Sequence, residues 1–211
     1  MKEPVIIFGA KGLGKVALDI FQSNDVVVYC FLDDDKKLHN TEINDISILG
    51  NTDDDEFLKL IGKKCEAFVA TDDNKLKENI TEMLQDRLKV MPVNAIHQRA
   101  SIAPSAFLGH GNMLNAGAVI NSNAKVSSHC IINSNAVIEH DAEVHDYVQV
   151  GSGSIIGSSA IIKERAFIGS GVTIISGVTI GKKARVGAGS VVVADVKDNE
   201  TVFGNPAAKV K

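Results

Sequence analysis

The chain of 211 residues is 45% hydrophobic and has no run of about 20 apolar residues, so the sequence predicts a globular protein without a membrane span. A net charge of −4, few aromatic residues and no tryptophan argue against nucleic-acid binding. Three scattered cysteines indicate neither a disulfide framework nor a zinc knuckle, and together with an N-terminus that leads straight into a strand-like run they favour the cytoplasm.

The N-terminal part of the chain alternates between predicted strands and helices. Hydrophobic runs predict strands at residues 5–8, 26–32 and 67–71. One helix is expected over residues 15–22. A second, amphipathic helix has an apolar face made of Leu76, Ile80, Met83 and Leu84. This alternation predicts an α/β domain with a short, Rossmann-like parallel sheet.

A glycine-rich turn joins the first strand to the first helix, and acidic residues follow the second strand. Gly9, Gly12 and Gly14 would expose backbone N–H groups at the start of a helix, which suits a phosphate. Asp33 and Asp34 could accept hydrogen bonds from the hydroxyls of a ribose or another sugar. The spacing G-x-x-G-x-G differs from the G-x-G-x-x-G of dinucleotide-binding folds, and a turn that needs glycine for packing alone is the open alternative.

A hydrophobic residue recurs at every sixth position from Ile102 to Val192. The series is unbroken over sixteen residues, all of them isoleucine, leucine or valine. A period of six fits neither a helix nor a simple meander, and it predicts a solenoid in which each short strand points one branched side chain inward. Three hexapeptides form one triangular coil, so the series predicts an all-β parallel β-helix of about five coils.

Small residues and glycines occupy fixed places in each hexapeptide. The residue four positions after the aliphatic one is usually alanine or serine, as at Ala142 and Ser154. Glycine often follows the aliphatic residue directly, as at Gly151 and Gly169. We expect the small residues at crowded corners, and we expect the glycines to supply backbone freedom where the chain bends.

The two periodicities divide the chain into predicted domains at residues 1–92 and 93–211. Residues 1–97 carry 18 acidic and 12 basic side chains, whereas residues 98–211 carry 8 and 10. This difference in charge supports two domains with different partners.

His140 is followed directly by Asp141 in a predicted turn of the solenoid. Imidazole suits the removal of a proton from an attacking nucleophile because it titrates near neutrality, and an adjacent carboxylate can orient the ring. A solvated turn residue is the alternative for His140. His145, which has Asp146 beside it, is the second choice for a base. Two further histidines are expected to be solvated turn residues: His110 and His129.

The hexapeptide series closely resembles that of the hexapeptide-repeat acyltransferases over residues 98–211. The whole chain resembles the sugar-nucleotide acetyltransferases of bacterial surface glycan pathways on segments 8–15, 31–34 and 204–209. This resemblance implies a left-handed parallel β-helix, a homotrimer with acyl-coenzyme A in grooves between subunits, and an N-terminal domain that holds a nucleotide-linked amino sugar. Leu13 and Gln149 stand where many members of the family have histidine.

The resemblance also implies the residues of the site. His140 matches the general base of the family, and Asp141 matches its carboxylate partner. The sugar nucleotide is expected at Gly9, Lys11, Gly12, Leu13, Asp33 and Asp34. Acetyl-coenzyme A is expected along Gln149, Gly153, Gly169, Ser170, Gly187 and Ala188. A basic cluster on a late coil either meets the phosphates of coenzyme A or forms a solvated surface: Lys182, Lys183 and Arg185.

The sequence thus predicts transfer of an acetyl group from acetyl-coenzyme A to the amino group of a nucleotide-linked sugar, for surface glycan biosynthesis. Three alternatives stay open at this stage. The first is O-acetylation of a sugar such as sialic acid, and the second is a non-catalytic trimeric scaffold. The third is a zinc enzyme like the γ-carbonic anhydrases, with His140, His145 and His110 as ligands; otherwise no metal is expected.

Overall fold

The computed structural model describes residues 3–210, which form two compact units that meet in sequence between Gln98 and Arg99. This boundary lies further along the chain than the one expected after residue 92. The difference has a local cause, because the segment after that residue is hydrogen-bonded to the first unit. The Val93 N–H donates to the Ala67 carbonyl (2.9 Å), and the Asn24 side-chain amide donates to the Ile96 carbonyl (2.7 Å).

Among the described residues, no helix combines the length and the apolar character needed to cross a bilayer.

The first unit is an α/β domain, as the alternation of strands and helices predicted. Its elements are β1 (Val5–Phe8), α1 (Gly12–Ser23), β2 (Val28–Leu32), β3 (Glu42–Ile43), β4 (Ile46–Gly50), α2 (Asp55–Leu58), β5 (Glu66–Val69), α3 (Asn74–Met83) and β6 (Ala95–Ile96). A π-helical turn, Leu84–Leu88, continues α3. The sheet has the order β3-β4-β2-β1-β5, in which β4, β2, β1 and β5 are parallel and β3 is antiparallel to β4.

The hairpin of β3 and β4 was not expected from the sequence. Its two-residue turn, Asn44-Asp45, has positive φ at both positions (47° and 65°), as a type I′ hairpin requires. Asparagine and aspartate tolerate this conformation, but they lack the glycine that makes such turns easy to recognise in a sequence. The hairpin adds two strands to the three predicted: β4, which is parallel to β2, and β3, which is antiparallel to β4.

The core of the first unit lies on both faces of the sheet. Ile6, Phe8 and Leu32 pack with the C-terminal helices on one face. On the other face, Phe21 of α1 meets Phe68 of β5 edge to face, with ring centroids 5.5 Å apart. Because β4, β2, β1 and β5 are parallel, their carboxyl ends, and the turns that follow them, lie at one edge of the sheet.

The second unit is a parallel β-helix built from two-residue strands, each of which ends on a residue of the six-residue series. These strands are β7 (Ser101–Ile102), β8 (Phe107–Leu108), β9 (Met113–Leu114), β10 (Val119–Ile120), β11 (Lys125–Val126), β12 (Ile131–Ile132), β13 (Val137–Ile138), β14 (Glu143–Val144), β15 (Gln149–Val150), β16 (Ile155–Ile156), β17 (Ile161–Ile162), β18 (Phe167–Ile168), β19 (Thr173–Ile174), β20 (Thr179–Ile180), β21 (Arg185–Val186) and β22 (Val191–Val192). Two longer strands close the unit: β23 (Thr201–Gly204) and β24 (Ala207–Lys209).

The strands stack into three flat faces. The first face is β7-β10-β13-β16-β19-β22, the second is β8-β11-β14-β17-β20, and the third contains β9-β12-β15-β18-β21-β23-β24. From β7 to β22 the pairs are parallel and in register at a separation of 18 residues, as for Ile138 and Ile156. At the C-terminal end, β21 pairs in parallel with β23 at a separation of 16 residues, and β23 pairs antiparallel with β24. The second residue of each strand points inward and is fully buried from β9 to β21, whereas Ile102 and Leu108 of the first coil are half-buried.

Three corners connect the faces. The first corner comprises the turns that follow the strands of the first face, and the second and third corners are defined in the same way. From β8 to β22, each turn between successive strands places one residue in the left-handed region, so these residues form vertical columns. The column of the first corner is Asn123, Asp141, Ser159 and Gly177. That of the third corner is Gly117, Asn135, Gly153, Gly171 and Gly189.

The expected role of the glycines that follow the aliphatic residues was wrong. Gly151 and Gly169 do not have positive φ. A Cβ added at Gly151 would lie 2.4 Å from the Ser170 nitrogen, and one at Gly169 would lie 2.6 Å from the Ala188 nitrogen. Glycine is needed at these places because the next coil passes against the backbone, and it is the columns two residues later that bend the chain.

Candidate active site

The candidate base and its carboxylate partner lie together at the first corner, between β13 and β14. His140 Nδ1 is 3.0 Å from Asp141 Oδ2, and both side chains are about half exposed. Asp141 has φ of 60°, and its N–H donates to the Ser122 carbonyl one coil below (3.1 Å). The hydrogen bond from His140, and a second from the Asn123 side chain, hold the pKa of the Asp141 carboxyl below its usual value. The carboxylate is therefore ionised and able to orient the ring.

A third side chain completes this group and was missed in the sequence. Ser158 Oγ is 3.0 Å from His140 Nε2 and belongs to the next coil of the same corner. The other acid beside the histidine, Glu139, instead accepts a hydrogen bond from the Asn121 side chain (3.0 Å). Ser158 and Asn123 lie 18 residues, one full coil, from the residues they contact. That separation is the signal that would have found them.

The second-choice histidine has a weaker arrangement. His145 lies at the second corner, and its neighbour Asp146 accepts a hydrogen bond from the Ser128 N–H (2.7 Å). The nearest carboxylate to His145 Nε2 is that of Glu143, at 3.9 Å. His140 thus has the closer carboxylate.

The other solenoid histidines differ from each other. His110 is exposed, as expected of a turn residue. His129 is only 5% exposed and stacks on Tyr147 with ring centroids 4.9 Å apart, so its description as a solvated residue was wrong. Within residues 3–210, no group of three His, Cys, Asp or Glu side chains has the geometry to hold a metal ion.

A pocket of about 210 Å³ opens in the first unit at the carboxyl ends of β1, β2 and β5. Four residues expected to bind the sugar nucleotide line it: Gly9, Lys11, Asp33 and Asp34. Gly12 and Leu13 are not part of its lining but form the first turn of α1. The remaining lining residues were not expected from the sequence: Phe8, Asp35, Thr52, Thr71, Leu76 and Ile80. Leu76 is 39% exposed, so it forms a pocket wall and not part of the helix's buried face.

The three aspartates after β2 have different roles in this pocket. Asp33 accepts from the Ala10 N–H with one oxygen (2.8 Å) and from the Asp35 N–H with the other (2.9 Å), so it ties the glycine turn to the end of β2. Asp34 accepts from the N–H and the hydroxyl of Thr52, both at 2.9 Å. Asp35 lies 3.3 Å from the Lys11 ammonium. A hydrogen bond from the Lys37 N–H and the contact with Lys11 lower the pKa of Asp35. The pocket therefore contains two aspartates held by hydrogen bonds, Asp33 and Asp34, and the exposed Lys11 side chain, which contacts Asp35.

The glycines of the N-terminal motif divide into two kinds. Gly9 has φ of 105°, and a Cβ there would lie 2.7 Å from the Ala70 carbonyl oxygen. A Cβ at Gly14 would lie 2.2 Å from the Gly9 carbonyl oxygen. Both positions require glycine for packing. A Cβ at Gly12 would have no neighbour within 4 Å, so packing does not explain this glycine.

The residues expected to bind acetyl-coenzyme A border the third face. Gln149 is the first residue of β15, and Phe167 and Arg185 hold the same position in the next two strands of this face. The Arg185 guanidinium lies over the Phe167 ring, 4.5 Å from its centroid. Five others lie at the third corner: Gly153, Gly169, Ser170, Gly187 and Ala188. Of the glycines, Gly153 has open space around it, whereas packing already accounts for the other two.

The two lysines lie at the opposite edge of the same face. Lys182 forms an ion pair with Glu164, and this contact lowers the pKa of the Glu164 carboxyl. The backbone N–H of Lys182 donates to the Asp198 carboxylate (2.8 Å). Lys183 occupies the left-handed column of the second corner, with φ of 56°. The structure does not bring His140 to the residues of the third corner, because the width of the first face separates the two corners.

Comparison with known proteins agrees with both halves of this description. The PglD N-terminal domain family matches residues 4–84, and the bacterial transferase hexapeptide family (six repeats) matches residues 159–194. A search of curated protein sequences finds no match.

Solved structures match the chain over its whole length. The perosamine N-acetyltransferase of Caulobacter crescentus, in complex with CoA and GDP-perosamine, is 32% identical with a TM-score of 0.89, over 99% of this chain and 97% of that one. The acetyltransferase domain of PglB from Neisseria gonorrhoeae, in complex with acetyl coenzyme A, is 28% identical with a TM-score of 0.90, over 100% of both chains. WeeI from Acinetobacter baumannii is 25% identical with a TM-score of 0.87, over 98% and 99%.

The structure that is 32% identical superimposes on this chain over nearly its whole length, with a TM-score of 0.89. It therefore shares the order found here, a short parallel sheet followed by a β-helix. The family matches cover the glycine turn, the acids after β2 and the late coils. On this basis the chain belongs to the acetyl-coenzyme A-dependent sugar acetyltransferases of the hexapeptide-repeat, left-handed β-helix family.

Proposed function

We propose that this chain transfers the acetyl group of acetyl-coenzyme A to the amino group of a nucleotide-linked amino sugar, with His140 as general base. The observation that carries the proposal is the position of the His140 ring, which contacts an ionised carboxylate through Nδ1 and presents Nε2, beside the Ser158 hydroxyl, for proton transfer. The full-length likeness to an enzyme that acetylates the nitrogen of perosamine supports nitrogen as the acceptor. Two structures of that enzyme carry alanine or asparagine in place of one histidine.

In this mechanism the sugar amine attacks the carbonyl carbon of the thioester while one of its protons moves to His140 Nε2. Asp141 stabilises the imidazolium that forms, because its carboxylate accepts the Nδ1–H hydrogen bond. The tetrahedral intermediate then collapses, the carbon–sulfur bond breaks, and the proton on Nε2 passes to the leaving thiolate. The products are the N-acetyl sugar nucleotide and free coenzyme A, and no other reactant is needed.

The pocket of the first unit is the proposed site of the nucleotide. The N-terminus of α1 would bind a phosphate through its backbone N–H groups, since the residue before it, Lys11, forms no side-chain cap. The Lys11 side chain is 70% exposed, and its ammonium could bind a second phosphate oxygen. The threonines and aspartates of the lining offer acceptors and donors for ribose or sugar hydroxyls.

A homotrimer is the proposed assembly. His140 and the candidate residues for acetyl-coenzyme A lie at different corners of one prism, so the two substrates can meet only if the third corner of one subunit lies beside the first corner of its neighbour. Repetition of that contact around a three-fold axis closes a ring. Sedimentation of the purified chain at three times its mass of 22.4 kDa is the expected result.

A thiol-release assay with acetyl-coenzyme A tests the reaction. Candidate acceptors are the UDP-, dTDP- and GDP-linked amino sugars, each paired with a matched sugar nucleotide that has a hydroxyl in place of the amine. We expect release with one amino sugar and none with its hydroxyl partner. Release with the hydroxyl compound alone would instead identify an O-acetyltransferase, and no release with any acceptor would contradict the proposal.

Two glycine variants test the nucleotide site. Gly12→Ala is expected to leave folding intact, since the added methyl group meets no neighbour, and to raise KM for the sugar nucleotide about tenfold by keeping a phosphate from the backbone. Gly14→Ala is expected to lower the free energy of unfolding by about 1–3 kcal/mol, because its Cβ collides with the Gly9 carbonyl. Thermal denaturation and steady-state kinetics separate the two effects, and an unchanged KM in Gly12→Ala would count against this site.

A further inference from the structure

Three side chains at the first corner form a continuous hydrogen-bonded row. Ser158 Oγ lies 3.0 Å from His140 Nε2, and His140 Nδ1 lies 3.0 Å from Asp141 Oδ2. Both nitrogens of the imidazole therefore have a side-chain partner in the protein without substrate. Ser158 is held in this position by the coil above, because its carbonyl accepts a hydrogen bond from the Gly177 N–H (2.9 Å).

The directions of these two hydrogen bonds follow from the chemistry of the partners. An ionised carboxylate only accepts hydrogen bonds, so the proton of the neutral ring is on Nδ1, facing Asp141. Nε2 then carries a lone pair, and the hydroxyl of Ser158 donates to it. This is the tautomer that a base needs, since Nε2 must be free of a proton when the acceptor arrives.

We propose that Ser158 is a positioning residue for His140, and that its hydroxyl occupies, in the free enzyme, the place on Nε2 that the acceptor nitrogen takes during the reaction. The proposal rests on the proposed function for the identity of that acceptor. Nε2 has one lone pair, so the amine and the hydroxyl cannot both donate to it. Binding of the amine therefore displaces the hydroxyl, while the ring keeps the orientation and tautomer already set. Ser158 neither gains nor loses a proton in the cycle.

Nitrogen NMR of histidine-labelled protein tests the positioning role without any substrate. The His140 signals are assigned by their loss in His140→Ala. In the wild type we expect a single Nδ1–H tautomer with a hydrogen-bonded Nε2. In Ser158→Ala the Nε2 signal is expected to move toward that of an unprotonated nitrogen that is hydrogen-bonded only to water, while Asp141 keeps the proton on Nδ1. Identical His140 spectra in the two proteins would overturn the proposal.

Steady-state kinetics provide the second readout. Ser158→Ala is expected to lower kcat about three- to tenfold, as the loss of one hydrogen bond predicts, with KM for acetyl-coenzyme A unchanged. Ser158→Thr keeps the hydroxyl and should restore both kcat and the Nε2 signal. Ser176→Ala is the matched control, since Ser176 is an exposed serine at the equivalent position one coil further along the first corner, and the kcat and spectrum of this variant should equal those of the wild type.

The alternative role for this row is nucleophilic, since a serine, a histidine and an aspartate in line also suit an acyl-enzyme. Mass spectrometry after mixing with acetyl-coenzyme A alone decides between the two roles. Gain of one acetyl group in the wild type but not in Ser158→Ala would overturn the positioning proposal, and an unmodified chain supports it. If no amino sugar is acetylated in the assay above, the proposed function fails, yet the NMR comparison still decides the place of Ser158.

Discussion

Replacement of His140 by alanine is expected to lower kcat by about 10²–10⁴-fold, because the attacking amine then loses the group that takes its proton. KM for both substrates should change little, since the ring acts on the transition state more than on binding. The side chain is 58% exposed, so the variant should fold normally. Steady-state kinetics with the acceptor found by the substrate screen, at saturating acetyl-coenzyme A, is the measurement.

His145→Ala is the matched control for this experiment. Its ring is also partly exposed, but the nearest carboxylate is 3.9 Å away and its own neighbour, Asp146, is engaged by a backbone N–H. We expect kcat within about twofold of the wild type, as for a residue outside the reaction. Wild-type activity in His140→Ala, or a large loss in His145→Ala alone, would move the base to the second corner.

The second large effect is expected in the solenoid interior. Ile156→Ala should lower the free energy of unfolding by about 2–5 kcal/mol, because the side chain is fully buried between coils and its removal leaves a cavity. The adjacent Ile155 points outward and is 42% exposed, so Ile155→Ala should cost about 0.5 kcal/mol or less. Urea unfolding followed by far-ultraviolet circular dichroism measures both variants, and the chain has no tryptophan to serve as a fluorescent probe.

These two isoleucines also provide a test of the inward direction assigned to each strand. The two side chains are identical and adjacent, and they differ only in the face of the strand on which they lie. Equal losses of stability in the two variants would contradict the assignment. A larger loss for Ile155 would indicate that the first face is buried in the assembled protein.

The solenoid was predictable from the sequence because its core is encoded by a strict period. Ile138, Val144 and Val150 illustrate this, since each is fully buried and each lies six residues from the next. The α/β unit was less predictable, because strand and helix patterns there are short and the Asn44-Asp45 turn lacks a strong signal. The strands β1, β2 and β5 were nevertheless located from their hydrophobic runs.

The candidate site was partly predictable. His140 and Asp141 are adjacent in sequence, so their pairing could be expected from the motif alone. Ser158 and Asn123 could not be found in this way, because contacts in a β-helix join residues one coil apart and neither residue is distinctive in itself. The pocket walls Thr52 and Thr71 come from loops after β4 and β5, and no local pattern marks them.

The 18-residue register of the coils limits how this fold can change in length. Removal of one whole coil, 18 residues, would leave every later residue at the same corner or face as before, so the columns on either side of the deletion would stay aligned. Removal of a single hexapeptide between His140 and Ser158 would preserve the aliphatic period but turn everything downstream by one third of a coil, so that Ser158 would lie at a different corner from His140. An enzyme of this kind can therefore gain or lose length in steps of a complete coil, or by loops that leave the prism, but not by single repeats within its catalytic coils.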